Sequence, residues 1–111
     1  MSGRPPRVIV LPTDLDQHLA DEVRPAITEA AESGRDLVID MGGSGTIDPA
    51  GLGLLVRAHR SARQNGATLC LVAPSRFVLT VLHTMRLDGV FPIYPDEATA
   101  VSDLARPAVG V

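Results

Sequence analysis

The sequence predicts a single α/β domain in which helices pack on a mixed β-sheet. Its 111 residues are the size of one compact domain. Short apolar runs typical of strands alternate with stretches of helical period along the chain, which is the pattern of a layered α/β fold. Hydrophobic residues make up 45% and charged residues 21%, so the composition favours a folded chain over a disordered one.

The first part of the chain contains two strand patterns and one helical pattern. Residues 8–11 form a mostly β-branched run bounded by prolines, which indicates a strand. A helical period follows between residues 19 and 32 and is closed by a Ser-Gly pair. Pro25 implies either that this helix begins near it or that the helix is kinked there. Residues 37–39 form a continuous apolar run, as expected of a strand covered on both faces.

The second helix has a well-defined start. A glycine-rich loop leads to Asp48, which is a favourable N-cap, and Pro49 is favoured at the first helical position. The helix is predicted to run to about Gln64. Its apolar side is predicted to face the sheet and consists of Leu52, Leu55, Val56, His59 and Ala62.

The rest of the chain predicts two more strands and two more helices. Residues 69–72 form a buried strand, expected beside the one that begins at residue 37. Ser75 is the predicted cap of a third helix, in which Val78 and Leu82 should be buried. A last strand covers residues 90–94, and Pro92 within it requires an edge position because proline donates no hydrogen bond.

A short helix over residues 97–104 closes the predicted domain. The domain is therefore expected to span residues 8–104, with flexible ends at residues 1–7 and 105–111.

Composition excludes several classes of function. The net charge of -3, with no basic stripe expected, argues against a nucleic-acid binder. All ten basic residues are arginine, so lysine chemistry is absent, and the single cysteine, Cys70, excludes an internal disulfide and a cysteine-built zinc site. No apolar run reaches the ~18 residues that span a bilayer. We expect a cytoplasmic domain without a cofactor and without membrane insertion.

The chemically active residues do not form a recognisable catalytic arrangement. The loop around Ser44 resembles a nucleophile elbow, but Thr46 occupies the place of its second glycine. None of the three histidines has a second histidine or a cysteine at helical spacing, so no metal site is predicted. Asp40 and Asp48 are the candidate acid pair, and Asp48 is already assigned to the helix cap. The sequence therefore predicts that the protein is not an enzyme.

One segment carries a specific motif. An apolar strand ends in Asp40, and after a short loop residues 47–52 read Ile-Asp-Pro-Ala-Gly-Leu. This resembles the signature of the STAS family, the sulphate-transporter and anti-sigma-factor-antagonist domains, in which the second element is Ile-Asp-Ser-Ser-Gly-Leu. Residues 15–16 and 87–94 resemble further family elements, and the resemblance extends over about residues 8–104. It implies a STAS-like fold and a role in protein–protein signalling without catalysis.

The resemblance also implies a site. In stand-alone members, the second serine of the motif accepts phosphate from an anti-sigma factor of the serine-kinase type. The unphosphorylated domain binds that kinase and frees the sigma factor. Here the two serine positions are Pro49 and Ala50, which have no hydroxyl, so the implied protein is an anti-sigma factor antagonist without its phosphoacceptor. Ser44 and Thr46 are the nearest hydroxyls, and both are interpreted as turn residues.

The predicted partner-binding surface is the loop and helix start, joined by the exposed part of the helix. Its residues are Ser44, Thr46, Asp48, Pro49, Ala50, Gly51, Gly53 and Arg57. Each glycine either admits the close approach of a partner or packs the helix on its own sheet. The first interpretation is favoured for Gly51, and both stay open for Gly53.

The partner implied is an anti-sigma factor or another regulatory protein, bound by a monomer or weak homodimer. Two alternatives remain at this point. One is a STAS regulatory subunit of a transporter complex, which needs no phosphate switch. The other is a nucleotide-binding sensor, in which the start of a helix would receive the anion.

Overall fold

Four strands alternate with four helices through residues 5–105, the part of the chain that the computed structural model describes. The elements in chain order are β1 (Arg7–Val10), α1 (Gln17–Glu32), β2 (Leu37–Asp40), α2 (Pro49–Gln64), β3 (Leu69–Val72), α3 (Arg76–Thr84), β4 (Ile93–Tyr94) and α4 (Glu97–Leu104). The predicted α/β class is confirmed. Of the ends predicted to be flexible, residues 1–4 and 106–111 lie outside the described part, and Arg7 already belongs to β1.

The four strands form one sheet in the order β1-β2-β3-β4. Every pairing among them is parallel, with Val8 opposite Val38 and Val38 opposite Cys70. The expected mixed sheet is therefore corrected for the described strands. The reason is that a helix connects each strand to its neighbour and returns the chain to the same end of the sheet. Because such crossovers are right-handed and all step in one direction, α1, α2 and α3 lie on the same face.

The sheet has one face that three helices cover and one that a single helix covers in part. The face under α1, α2 and α3 supplies the main core, including Ile39, Leu69 and Leu71. On the opposite face, α4 packs over Val38, Cys70 and Val72 through Ala100 and its neighbours. Val8 and Val10, on the same side of edge strand β1, are 36% and 59% exposed. Helix α4 therefore does not extend over β1, and this edge of the sheet is exposed to solvent on that face.

Two side chains confirm how α4 sits on the sheet. Cys70 is completely buried, and burial raises the pKa of its thiol to about 11, so its predicted packing role is confirmed. The Tyr94 hydroxyl of β4 donates a hydrogen bond to the Asp103 carboxylate of α4. That bond is the main reason that the pKa of Tyr94 rises to about 12.

Helix α1 begins before the proline that made its start ambiguous. Asp16 is its N-cap, and the Asp16 carboxylate accepts a hydrogen bond from the Leu19 amide at 2.9 Å. Pro25 consequently lies inside the helix, on an exposed position. There water can satisfy the carbonyl that a proline nitrogen leaves without its usual donor.

Helix α2 turns a different face to the core than its large side chains predicted. Leu52 and Val56 were expected to be buried, but both are half-buried. The fully buried side of the helix consists of Gly51, Leu54, Leu55, Ala58 and Ala62. This stripe is rich in small residues, which let α1 and α2 approach closely, whereas the prediction weighted large apolar side chains.

The edge position predicted for the last strand is confirmed. Strand β4 has only two residues, pairs with β3 alone in this sheet, and follows an exposed Pro92. The Pro92 carbonyl accepts a hydrogen bond from the Leu71 amide at 2.9 Å, so the proline contributes its acceptor to the ladder without needing a donor.

Helix α3 ends in a backbone geometry that favours glycine. The Arg86 amide donates to the His83 carbonyl at 3.0 Å, and the Leu87 amide donates to the Leu82 carbonyl at 2.8 Å. These bonds define a Schellman ending, in which the residue at Arg86 is usually glycine. Arg86 holds a φ of +58°, which places its Cβ in the crowded left-handed region.

Replacing Arg86 with glycine is expected to raise the free energy of unfolding by about 1 kcal/mol, since glycine adopts this φ without steric cost. The measurement is urea denaturation followed by circular dichroism. Thr84→Gly, in the last turn of α3, is the control and should lower stability by a similar amount because glycine is a poor helix former. An unchanged or lower midpoint for Arg86→Gly would contradict the expected relief of strain.

Candidate protein-binding surface

The start of α2 is joined to the loop before α1 by backbone hydrogen bonds. The Leu15 amide donates to the Thr46 carbonyl at 3.0 Å, and the Asp48 amide donates to the Leu15 carbonyl at 3.1 Å. Leu15 and Ile47 thereby form an isolated parallel bridge beyond the ends of β1 and β2. The predicted surface is therefore built on two segments that hold each other in place.

Asp48 uses both oxygens of its carboxylate to cap this structure. Oδ1 accepts from the Gly51 amide at 2.9 Å, which confirms the predicted N-cap. Oδ2 accepts from the Gln17 amide at 3.0 Å, at the start of α1. A single side chain thus fixes the starts of two helices relative to each other. This second bond could not be inferred from the local sequence.

Asp48→Ala is expected to lower the free energy of unfolding by about 2 kcal/mol, because two helix starts lose an acceptor together. Asp48→Asn should cost about half as much, since its amide oxygen still accepts one bond. Asp96→Ala is the matched control: Asp96 caps only α4, through the Thr99 amide, and should cost about 1 kcal/mol. Chemical denaturation of the three variants gives the comparison, and equal losses for Asp48→Ala and Asp96→Ala would rule out the double cap.

The glycine-rich loop before α2 is held by Asp14, a residue that sequence reasoning missed. Its Oδ1 accepts from the amides of Gly45 at 2.8 Å and Thr46 at 3.1 Å. The Ser75 hydroxyl, at the start of α3, donates to the Gly45 carbonyl at 2.7 Å. Asp14 lies more than 30 residues from its partners in sequence, and no local pattern marks it. The loop is therefore held by hydrogen bonds from two segments, the one before α1 and the start of α3.

Ser44 does not belong to the exposed surface. It is 1% exposed, and its hydroxyl donates to the Thr13 carbonyl. Its predicted place among the partner-binding residues is therefore corrected, because its polar group is directed into the loop contact. Thr46 is exposed, and its amide is held by Asp14.

The two glycines of α2 have different surroundings. Gly51 is buried, and a Cβ added to it would stand 2.4 Å from the Leu15 carbonyl oxygen and 2.6 Å from Leu15 Cγ. The packing interpretation therefore holds for Gly51, and the favoured partner contact is corrected. Gly53 is half-buried, and its Cβ would lie 3.1 Å from Nη1 of Arg57. Gly53 thus makes room for a surface side chain of its own helix.

The predicted residues that remain accessible lie together at the start of α2. Pro49 and Arg57 are exposed, and Ala50 and Gly53 are half-buried. Positions 50, 53 and 57 recur at helical spacing and so share one side of α2. We call this side, with Pro49 and Thr46, the α2 surface. It offers small apolar groups and one guanidinium, which suits binding to another protein better than a reaction.

His59, His83 and Asp40 each contact a neighbouring side chain of the domain. His59 packs edge-on against the Phe91 ring, with centroids 5.4 Å apart, and its pKa is lowered mainly by burial. His83 was expected within a packed helix but is exposed, and Asp88 beside it raises the pKa of His83 through a hydrogen bond. Asp40 does not pair with Asp48; it lies beside Glu97, whose pKa it raises through a hydrogen bond.

Residues 5–105 contain neither a metal-binding cluster nor a membrane-spanning helix. Within that range, no three histidine, cysteine or acidic side chains are grouped as a metal site requires. None of its helices combines the length and the apolar character needed to cross a bilayer.

Comparison with known proteins adds a family and a fold. The model of the STAS domain matches residues 3–100 of the chain. A STAS domain protein of Planctomyces limnophilus, an anti-sigma-factor antagonist, is 21% identical, with a TM-score of 0.81 over 93% of this chain and 97% of that one. The Bacillus cell-fate determinant SpoIIAA, in its phosphorylated form, is 22% identical, with a TM-score of 0.71 over 93% and 94%. A sulfate transporter family protein of Wolinella succinogenes is 15% identical, with a TM-score of 0.75 over 88% and 83%.

Proposed function

The chain belongs to the STAS domain family, and on this premise we propose that it is a non-catalytic regulatory domain that binds an anti-sigma factor in the cytoplasm and so frees a sigma factor. It would bind through the α2 surface. The likeness to SpoIIAA and to the antagonist of Planctomyces limnophilus supports this proposal over most of each chain.

The observation that carries the proposal is how the polar groups around the α2 start are used. Asp48, Asp14 and Ser75 all direct their side-chain oxygens into hydrogen bonds that hold the loop and the helix start. Side chains that make these hydrogen bonds stabilise the conformation of the loop and the helix start. They are poorly placed to transfer protons or attack a substrate. A rigid, accessible helix start without a reactive group supports binding as its role.

We further propose that this binding is not switched by phosphorylation at the family's serine position. Pro49 and Ala50 offer no hydroxyl there. Of the nearest hydroxyls, Ser44 is buried and bonded to the Thr13 carbonyl, so a kinase could reach it only by opening the loop. Such a domain would act like the unphosphorylated state of a switchable member at all times, and its activity would follow its concentration.

A transporter subunit is the second candidate function. It is supported by the likeness to the sulfate transporter family protein of Wolinella succinogenes and by the missing hydroxyl, which such a role does not need. A nucleotide sensor has weaker support. The Asp48 carboxylate occupies the start of α2 with negative charge, where it repels a phosphate.

The proposed function is tested by sigma-factor release. Each serine-kinase-type anti-sigma factor of the source organism is loaded with its labelled sigma factor and mixed with the purified chain. We expect one of these complexes to release its sigma factor in proportion to the chain added. After incubation with ATP, intact-mass spectrometry should show the chain without added phosphate, and release should persist.

Two results would contradict the proposal, the first its sigma-factor circuit and the second the absence of a phosphorylation switch. Absence of release from every complex, with co-purification of a transporter component instead, would favour the second candidate. Stoichiometric phosphate on Ser44 or Thr46, with release abolished, would show that the chain is switched after all and that its acceptor has moved into the loop.

A further inference from the structure

Helix α2 carries three cationic side chains on its exposed side and no acidic one. Arg57, Arg60 and Arg63 are all exposed, and α2 contains neither aspartate nor glutamate. The chain as a whole has a net charge of -3, so the sign of the charge is locally reversed on this helix. Three exposed arginines on one helix are a local concentration of positive charge that the net charge of the chain does not report.

No ion pair among the described residues includes these arginines, and Glu32 of α1 lines a surface groove together with Arg57 without pairing with it. The ion pairs within residues 5–105 are His18–Glu22, Arg24–Asp21 and His83–Asp88. None of these pairs includes a residue of α2. After burial, the charges of Arg63 and Arg60 are the causes that lower the pKa of His59. The positive potential of the helix is therefore available to a group from outside.

Arg57 and Arg60 continue the α2 surface along the helix, and Arg63 follows Arg60 three residues later at the edge of that side. Positions 50, 53, 57 and 60 recur at intervals of three and four, so they share one side. Long helical side chains point back toward the N-terminus, and the guanidinium of Arg57 accordingly lies over Gly53. Because glycine leaves that space empty, the charge of Arg57 is brought closer to the first turn, where Pro49 and Ala50 are accessible.

We propose that the partner docking on the α2 surface presents a row of aspartate or glutamate side chains to Arg57, Arg60 and Arg63. This inference rests on the proposed function, because it specifies the partner of that same surface. The planar guanidinium group binds carboxylates through two parallel hydrogen bonds. An acidic protein fits better than a nucleic acid because only three cations face outward on this helix and the whole molecule is negative, which disfavours an extended polyanion.

The first test measures association with the anti-sigma factor identified by sigma-factor release, from about 50 to about 500 mM NaCl. The association rate constant of the wild type should fall about tenfold over this range, because exposed charges mainly steer the encounter. The triple variant Arg57→Gln, Arg60→Gln, Arg63→Gln should lose this dependence and bind about 30-fold more weakly at low salt. The corresponding triple lysine variant should retain most of the salt dependence. Arg7→Gln, on exposed edge strand β1, is the control and should bind like wild type.

The second test does not require a known partner. The isotope-labelled chain is titrated with a synthetic glutamate-rich helical peptide, and in parallel with duplex DNA and with phosphatidylglycerol vesicles. The peptide should shift amide resonances of α2 and leave those of β1 and α4 unchanged.

The outcomes separate this inference from the function it rests on. Anti-sigma factor binding that is insensitive to salt and to the arginine variants overturns the inference and leaves the proposed function intact. Peptide binding on α2 without any sigma-factor release supports an acidic partner and defeats the proposed sigma circuit. Tighter binding of DNA or of vesicles than of the peptide overturns the acidic protein partner.

Discussion

Gly51→Ala is expected to lower the free energy of unfolding by about 3 kcal/mol, at the upper end of the usual cost of overpacking. The added Cβ would stand 2.4 Å from the Leu15 carbonyl oxygen and 2.6 Å from Leu15 Cγ, closer than real atoms approach. That carbonyl accepts the hydrogen bond from the Asp48 amide, so it cannot move without disturbing the start of α2. Urea denaturation of the wild type and the variant gives the difference.

Gly53→Ala is the matched control, two residues away in the same helix. Its Cβ would meet only the flexible end of the Arg57 side chain, 3.1 Å away, which can swing into solvent. Alanine is favoured over glycine in a helix by about 1 kcal/mol, so Gly53→Ala should be stabilising or neutral. Similar effects of the two substitutions would show that Gly51 is not held against Leu15 as the structure indicates.

Ala50→Glu is expected to weaken binding to the anti-sigma factor at least about 100-fold, or roughly 2.7 kcal/mol. The new carboxylate would lie in the first turn of α2, at the family's phosphoacceptor position and within a contact surface that should face acidic groups. Folding should survive, because acidic side chains near a helix N-terminus are favourable by ~0.3–1 kcal/mol. The measurement is the affinity for the partner together with a melting curve for each protein.

Ala98→Glu is the control because it makes the same substitution at the equivalent helical position. Ala98 is an exposed second residue of α4, after an aspartate cap, and α4 lies on the opposite face of the sheet from α2. Its variant should bind like wild type. If Ala50→Glu also bound like wild type, the start of α2 would not be part of the interface.

The sequence predicted those features that depend on near neighbours along the chain. Apolar runs and helical periods located every strand and helix of the described part, and the Asp48-Pro49 pair located the start of α2. The buried side of α2 was predicted less well, because Gly51 and Ala58 face the core through the closeness of α1, which no periodicity in α2 records.

The site was only partly predictable for the same reason. Ser44 and Gly51 stand next to accessible residues in sequence, and only their contacts with Thr13 and Leu15 remove them from the surface. Asp14 could not be found, because its partners lie across a loop more than 30 residues away. Local pattern thus identified the segment that forms the surface, and packing determined which of its residues are accessible.

The order of the strands in the sheet has a consequence for how the chain can fold. Each strand pairs with the one that precedes it, and paired residues such as Val8 and Val38 are about 30 residues apart. Each step of assembly therefore closes one loop of moderate length. No strand has to pair with a strand that is far from it in the sequence. During synthesis on the ribosome, β1 and β2 can join as soon as β2 has emerged after α1, and the sheet can then grow outward one unit at a time. The strand that joins last, β4, is also the shortest, so an unfinished chain lacks only the smallest part of its ladder.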